Sequence, residues 1–297
     1  MGPLLGYGLR AVLWMQGEAN SNEGFPLSRQ AYACAFGAMI DAWRAAWASP
    51  QLPFVFVQIS AWFGNWGFDQ LPCTYDYCPV ISRIRLAQAD VQASGRANVG
   101  MAVSYDNGDD EAHGVHSRFK SEPARRLALE LLRAAYGKAE AEAPAPLGVA
   151  SVLSRAGGHD GGGSAAVTVG VPLQHALGLT LHPTTRCEVQ YSKQCCGNTT
   201  FPAPKGPVLG RLCTATNATD CTAADGARVV LANVTVDPAA NRLIFSATLP
   251  AADQQVRWLD FSLTDFPQCA VHNSDGLALG PFGPIEVTEV RAAGPAA

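Results

Sequence analysis

The chain has 297 residues, of which 48% are hydrophobic and 15% charged, enough apolar material for one large or two medium cores and too much for a disordered or fibrous protein. Its formal net charge is -4, and its Lys and Arg residues are scattered without runs, which provides no basic surface for phosphates and excludes nucleic acid as an expected partner. No apolar run approaches the about 20 residues that a membrane-spanning helix needs, so no membrane span is expected.

Leu9 to Trp14 reads as a first buried strand. A helix fits Ser28 to Ala48: Tyr32, Phe36, Met39, Ile40, Trp43 and Trp47 recur at steps of three and four, Ser28 can cap the start, and Pro50 lies just past the end. Pro53 to Ile59 forms a second strand. Val80 to Gln92 has helical spacing and stops at Gly95; Val99, Met101 and Val103 alternate as a third strand; Ser121 to Tyr136 is a last helix before Gly137. This alternation predicts an α/β layer, a doubly wound parallel sheet with crossover helices.

Lys138 to Pro146 is rich in Ala, Glu and Pro and has the composition of a linker. Beyond it the helical period disappears. Ala165 to Val171, Leu177 to Leu181, Val229 to Val236, Arg242 to Ala247 and Val256 to Leu263 are short strand-like runs, which predict an all-β, sandwich-like module. The expected division is residues 1–138, a linker at 139–147, and a β-rich module at 148–297. The glycine-rich stretch Gly157 to Gly163 lacks a strand-to-helix context and reads as a turn.

Nine cysteines are present, six of them from Cys187 to Cys269, interleaved with the acceptor tripeptides at Asn198, Asn217 and Asn233. With no Cys-x-x-Cys spacing for zinc, they read as disulfides of a secreted or endomembrane-lumen protein. Cys73 and Cys78, bracketed by Pro72 and Pro79, are expected to pair; the cysteines from 187 to 269 are expected to pair mostly among themselves, and Cys34 to be a free thiol. The opening residues lack the basic start and cleavage site of a signal peptide, which leads to the expectation of a missing start.

In open parallel sheets, ligands bind at the carboxyl ends of the strands. The three loops there are Trp14-Met15-Gln16-Gly17-Glu18-Ala19-Asn20, then Gln58 to Trp66 with Trp62, then Ser104 to His116. Together they bring amides, carboxylates, imidazoles and sugar-stacking aromatics to one predicted edge. An ester hydrolase needs a base, a carboxylate that orients it, and donors for the oxyanion. His116 or His113 can be the base, an Asp from 106 to 110 the orienter, and Gln16 a donor. No Gly-x-Ser-x-Gly elbow occurs.

The run Val12 to Asn20, Tyr32 to Trp47 with Ile40-Asp41-Ala42-Trp43-Arg44, Leu52 to Gln58, Ile84-Arg85 with Gln88, Asn98 to Val103 with Asp106, and Gly114-Val115-His116 with Lys120 resemble the sialate O-acetylesterases of the SGNH hydrolase superfamily. Val256-Arg257-Trp258, Asp265-Phe266-Pro267, Asn273 to Leu277 and Pro281-Phe282 are similar to that family's closing β segment. The resemblance implies a partial SGNH-type, flavodoxin-like sheet and hydrolysis of O-acetyl groups on sialic acid or another acetylated sugar, through a serine and with no metal or other cofactor. It implies His116 as base, Gln16 as oxyanion donor, Asp106 or Asp110 as candidate orienting acids with Asp109 also open, and Glu18, Gln58, Trp62, Arg85 and His113 at the substrate. The family's Gly-x-Ser block lies well before the motif that begins at Trp14, so the chain alone is expected to be inactive; Ser117 stands where the family usually has Pro. Two other readings are a non-catalytic glycan-binding remnant and a metal site at His113 and His116 with Asp109 or Asp110.

Overall fold

The computed structural model describes residues 2–21, 28–61, 79–109, 115–138, 141–157, 163–183, 208–218, 221, 228–263 and 269–289. Strand β1 (Val12–Trp14) leads into a short helix α1 (Glu18–Ser21) and then α2 (Arg29–Ala46), β2 (Phe54–Val57), α3 (Pro79–Gln92), β3 (Val99–Ala102) and α4 (Ser121–Tyr136). The three strands form one parallel sheet in the order β1-β2-β3, with Val12 opposite Phe54 and Phe54 opposite Val99. The expected parallel sheet with crossover helices is present in this part, its strands in sequential order.

Local chemistry fixes the helix ends. The Ser28 hydroxyl accepts a hydrogen bond from the Ala31 amide at 3.1 Å, satisfying one of the orphan donors at the start of α2. At the end of α4, Gly137 takes the left-handed conformation (φ 62°) that lets its amide and the next reach the Arg133 and Leu132 carbonyls. The predicted stripe of α2 is the buried one: Tyr32, Phe36 and Ile40 pack on Phe54 and Phe56, with Phe36 and Phe56 ring centres 4.9 Å apart. Each such side chain contributes on the order of 2 kcal/mol by leaving water.

The remainder is built from β4 (Ala145–Pro146), β5 (Ala150–Ala156), β6 (Ala165–Gln174), β7 (Thr180–Pro183), β8 (Val208–Cys213), β9 (Val229–Asp237), β10 (Arg242–Leu249), β11 (Trp258–Phe261), β12 (Cys269–His272) and β13 (Phe282–Glu289). The module is β-rich as expected, but its main sheet is not split into two stacked layers. Strand β10 pairs along its length with β6 on one side and β9 on the other, so the order β10-β9-β8-β11-β13-β5-β6 returns on itself as a closed, barrel-like sheet. Alternate inward residues, among them Val167, Val169, Val171, Val234, Leu243, Phe245 and Phe261, fill its interior. Strands β7 and β12 form a separate two-stranded ribbon.

Cys213 and Cys221 are bonded to each other, in keeping with pairing within residues 187–269, and Cys34 is a free, exposed thiol on α2. Cys73 and Cys78 lie outside the described residues. No helix among the described residues is long and apolar enough to cross a membrane.

Candidate active site

The carboxyl end of β1 is held by Gly17, whose φ of 143° is closed to most L side chains. A Cβ there would lie 3.0 Å from Ile84 Cγ2 and 3.1 Å from both Ile59 Cγ2 and the Tyr32 hydroxyl, so only glycine lets the strand end sink onto α2 and α3. Gln16 is half-buried beside it. Its Nε2 donates to Asn20 Oδ1 at 2.5 Å, its Oε1 accepts from the Tyr32 hydroxyl at 3.2 Å, and its carbonyl accepts from Gln88 Nε2 at 3.1 Å. Glu18 opens α1, half-buried, with its carbonyl accepting from the Ser21 hydroxyl.

Gln58 and Arg85, expected at the substrate, are both completely buried and face inward. Gln58 Nε2 donates to the Arg85 carbonyl at 3.0 Å, while its Oε1 has no hydrogen-bond partner among the described residues. Arg85 donates from Nε to the Ile59 carbonyl and from a terminal nitrogen to the Ser60 carbonyl, each at 3.0 Å, and lies 6.0 Å from the centre of the Tyr105 ring. These two side chains shape the floor beneath the β2 loop. Sequence position alone cannot separate a floor residue from a lining residue, because both follow the same strand. Trp62, Asp110 and His113 lie outside the described residues.

Ser60 links the β2 end to the β3 end, its hydroxyl 3.0 Å from that of Ser104. Beyond Ser104, Asp106 is buried in a three-way contact. Arg126 of α4 meets its two oxygens at 2.7 and 2.8 Å, His272 Nε2 of β12 lies 2.9 Å from Oδ2, and Asn107 Nδ2 donates to Oδ1 at 3.1 Å. Burial pushes the Asp106 carboxyl upward, but the hydrogen bonds from His272 and Arg126 outweigh it and hold the pKa at about 2. Asp109 is likewise enclosed, accepting from the Arg118 amide at 2.8 Å and from its guanidinium at 2.9 Å.

His116 is exposed, flanked by anchored neighbours. Val115 packs against the cluster that contains Tyr32 and Trp14; the Ser117 hydroxyl donates to the Asn107 carbonyl at 3.3 Å; and Arg118 grips Asp109. The hydroxyl at position 117 therefore does what a proline could not: it ties the histidine segment to the β3 loop. Two of the three candidate orienting acids, Asp106 and Asp109, have arginine partners instead of contacting His116.

Arg126, Arg118 and His272 escaped sequence reasoning. The signal for Arg126 was an arginine on the inward face of α4, four residues after Glu122, which its Nε also meets at 2.9 Å. His272 had no local signal, since its partner is 166 residues away.

Residues 4–133 match the family model described as carbohydrate esterase, sialic acid-specific acetylesterase. The sialate O-acetylesterase of Rattus norvegicus is 31% identical over 160 residues, and that of Mus musculus is 28% identical over the same length; each match takes in 49% of this chain and 27% of the relative. The crystal structure of a carbohydrate acetylesterase from Xanthomonas citri superposes with a TM-score of 0.61 at 22% identity, over 94% of this chain and 51% of that one, a likeness of fold. Residues 4–133, which hold all three strand ends and His116, are thus similar to the sialic acid-specific acetylesterases among the carbohydrate esterases, and the chain spans about a quarter of the length of the curated relatives it matches.

Proposed function

We propose that this chain contributes the base and oxyanion side of a carboxylic ester hydrolase that removes O-acetyl groups from sialic acids or related sugars. The observation that carries the reading is the linkage of the strand ends: Gln16 joins Gln88, Ser60 joins Ser104, and Asn107 joins Ser117 beside His116. His116 serves as base, its imidazole open to an incoming hydroxyl. The Gln16 amide serves as donor to the acetyl oxyanion, exchanging Asn20 for the substrate oxygen. Asp110 is left as the orienting acid, since Asp106 and Asp109 are engaged elsewhere. Glu18, Trp62 and His113 are assigned to the sugar, with Gln58 and Arg85 supporting the ends of the loops from within. Residues 1–138 form the esterase portion and 148–297 the β-rich module. The Cys213–Cys221 bond supports a secreted or endomembrane-lumen setting.

Acyl transfer also needs a nucleophile, and these 297 residues hold no Gly-x-Ser-x-Gly elbow. We therefore expect no turnover from the chain alone. The test is acetate release from 9-O-acetylated sialic acid, by the chain alone and by one with a Gly-x-Ser segment supplied ahead of Trp14. His116→Ala should abolish the restored activity, and Gln16→Ala should lower it about 100- to 1000-fold. Full turnover by the chain alone, unaffected by His116→Ala, would refute this assignment. A second reading, a glycan binder that does not cleave, is favoured by one observation: both Asp106 and Asp109 are locked on arginines. It predicts binding of the acetylated sugar with no acetate release even when the serine segment is supplied.

A further inference from the structure

The all-β module meets the α/β layer beside the β3 loop. Val103 and Tyr105 share a small buried cluster with Ala270 and Ala278, and the Arg126 guanidinium extends toward the Gly276 carbonyl at 3.5 Å. At the centre of this seam is His272. It lies on β12, which pairs with β7 from Cys269↔Pro183 to His272↔Thr180, so its position is set by the ribbon and not by the α/β layer.

From His272 a continuous series of hydrogen bonds runs to the histidine segment. His272 Nε2 meets Asp106 Oδ2 at 2.9 Å; Asn107 Nδ2 donates to Asp106 Oδ1 at 3.1 Å; the Asn107 carbonyl accepts from Ser117 Oγ at 3.3 Å; and Ser117 Oγ accepts from the Phe119 amide at 3.2 Å. Ser117 is the immediate neighbour of His116. Asp106 is the branch point, fixed from α4 by Arg126 and from the β module by His272. With His272 gone, Asp106 would keep Arg126, and Asn107 its contacts to Ser104, but the carboxylate would lose the contact that ties it to the β module, leaving the Asp106–Asn107 pair freer to shift about that guanidinium.

We propose that His272 is a positioning residue, through which the β-rich module holds the loop after β3 and thereby sets the place of His116. The module's role is thus to complete the histidine side of the site from 166 residues away in sequence. The role assigned to His116 rests on the esterase reading; the hydrogen-bond series does not.

The test is amide hydrogen exchange on the full 297-residue chain, comparing residues 104–109 and 115–120 with α2 as internal reference. His272→Phe keeps the ring and removes the donor. His272→Gln places an amide nitrogen close to where Nε2 stands. His272→Phe should speed exchange in the two segments by about tenfold or more, the scale of losing a hydrogen bond to a charged group, and leave α2 unchanged. His272→Gln should restore exchange to within about threefold of the original. Unchanged exchange in His272→Phe, equal loss in both variants, or a uniform loss that includes α2 would each overturn the proposal. None of these readouts uses acetate release, so failure of the esterase reading and failure of this one are told apart.

Discussion

Replacing Arg126 with Met is the most searching perturbation of this fold. The methionine keeps most of the buried stem and removes every donor. Arg126 is 4% exposed and serves four groups: Asp106 through both terminal nitrogens, the Val103 carbonyl at 2.8 Å, the Gly276 carbonyl at 3.5 Å, and Glu122 through Nε. Asp106 would remain a buried carboxylate with His272 and Asn107 as its named partners. Removing one member of such a pair costs about 3–5 kcal/mol, against less than about 1 for an exposed pair. The pH dependence separates this cause from lost packing. In the parent, Asp106 is held at about 2 against an ordinary 3.8, and a folded pKa below the unfolded one means stability present above the ordinary value and lost as pH falls through about 2. That share is about 2 kcal/mol. In Arg126→Met, burial still raises the carboxyl and the His272 contact still lowers it, but the lowering by Arg126 is gone, so the pKa moves up from about 2 and protonation costs the variant less stability than it costs the parent. The gap between the two proteins should therefore narrow between about pH 7 and about pH 3. Urea unfolding followed by tryptophan fluorescence reports on this layer, where Trp14, Trp43 and Trp47 pack on one another. Adding Asp106→Asn to Arg126→Met should recover part of the loss, since the buried charge is then gone. A cost that stayed the same at every pH, or strict additivity of the two substitutions, would show that Asp106 is not a charge held by Arg126.

Two further outcomes concern the barrel. A Cβ at Gly210 would meet the Phe245 ring and lie 2.8 Å from Val234 Cγ2, so Gly210→Ala should destabilise by about 1–3 kcal/mol; a neutral effect in urea unfolding would mean that β8 does not approach Phe245 as described. Cys213 and Cys221 close a short loop with a sequence separation of 8, whose cross-link should stabilise by about 2 kcal/mol; Cys213→Ala with Cys221→Ala should lower the melting temperature, and an unchanged one would argue against a bond that constrains the unfolded chain.

Legibility in the sequence followed the range of the interaction. Helices α2 and α4 were readable because their signals are local: an apolar stripe, the Ser28 cap, the Gly137 stop. Strands β2 and β3 were readable as short apolar runs between breakers. Strand β5 was not, because a register shift between Val152 and Ser154 breaks its two-residue period, and β13 was not, because Pro284 within it argues against a strand. The closing of the barrel depends on β10 finding β6, a pairing that composition does not encode. At the site, the strand-end loops could be named as places to search, but nothing in a strand-end position separates residues that line from residues that support. Arg85, Gln58 and Asp106 carry the chemistry of a binding group and are spent on the protein's own backbone and ion pairs. His272 and Arg126 were invisible for the complementary reason: each acts on a carboxylate that belongs to another element.

The closed sheet of the β-rich module has one more consequence, for self-association. An open sheet ends in rows of unpaired amides and carbonyls that can recruit a strand from another molecule. With β10 joined to both β6 and β9, the seven-strand ring has no such margin along β10, whereas among the described residues β1 and β3 each border the parallel sheet with a partner on one side. Within the described residues, strand-by-strand growth into fibres is thus denied to the ring, and the α/β sheet is where a foreign strand could attach.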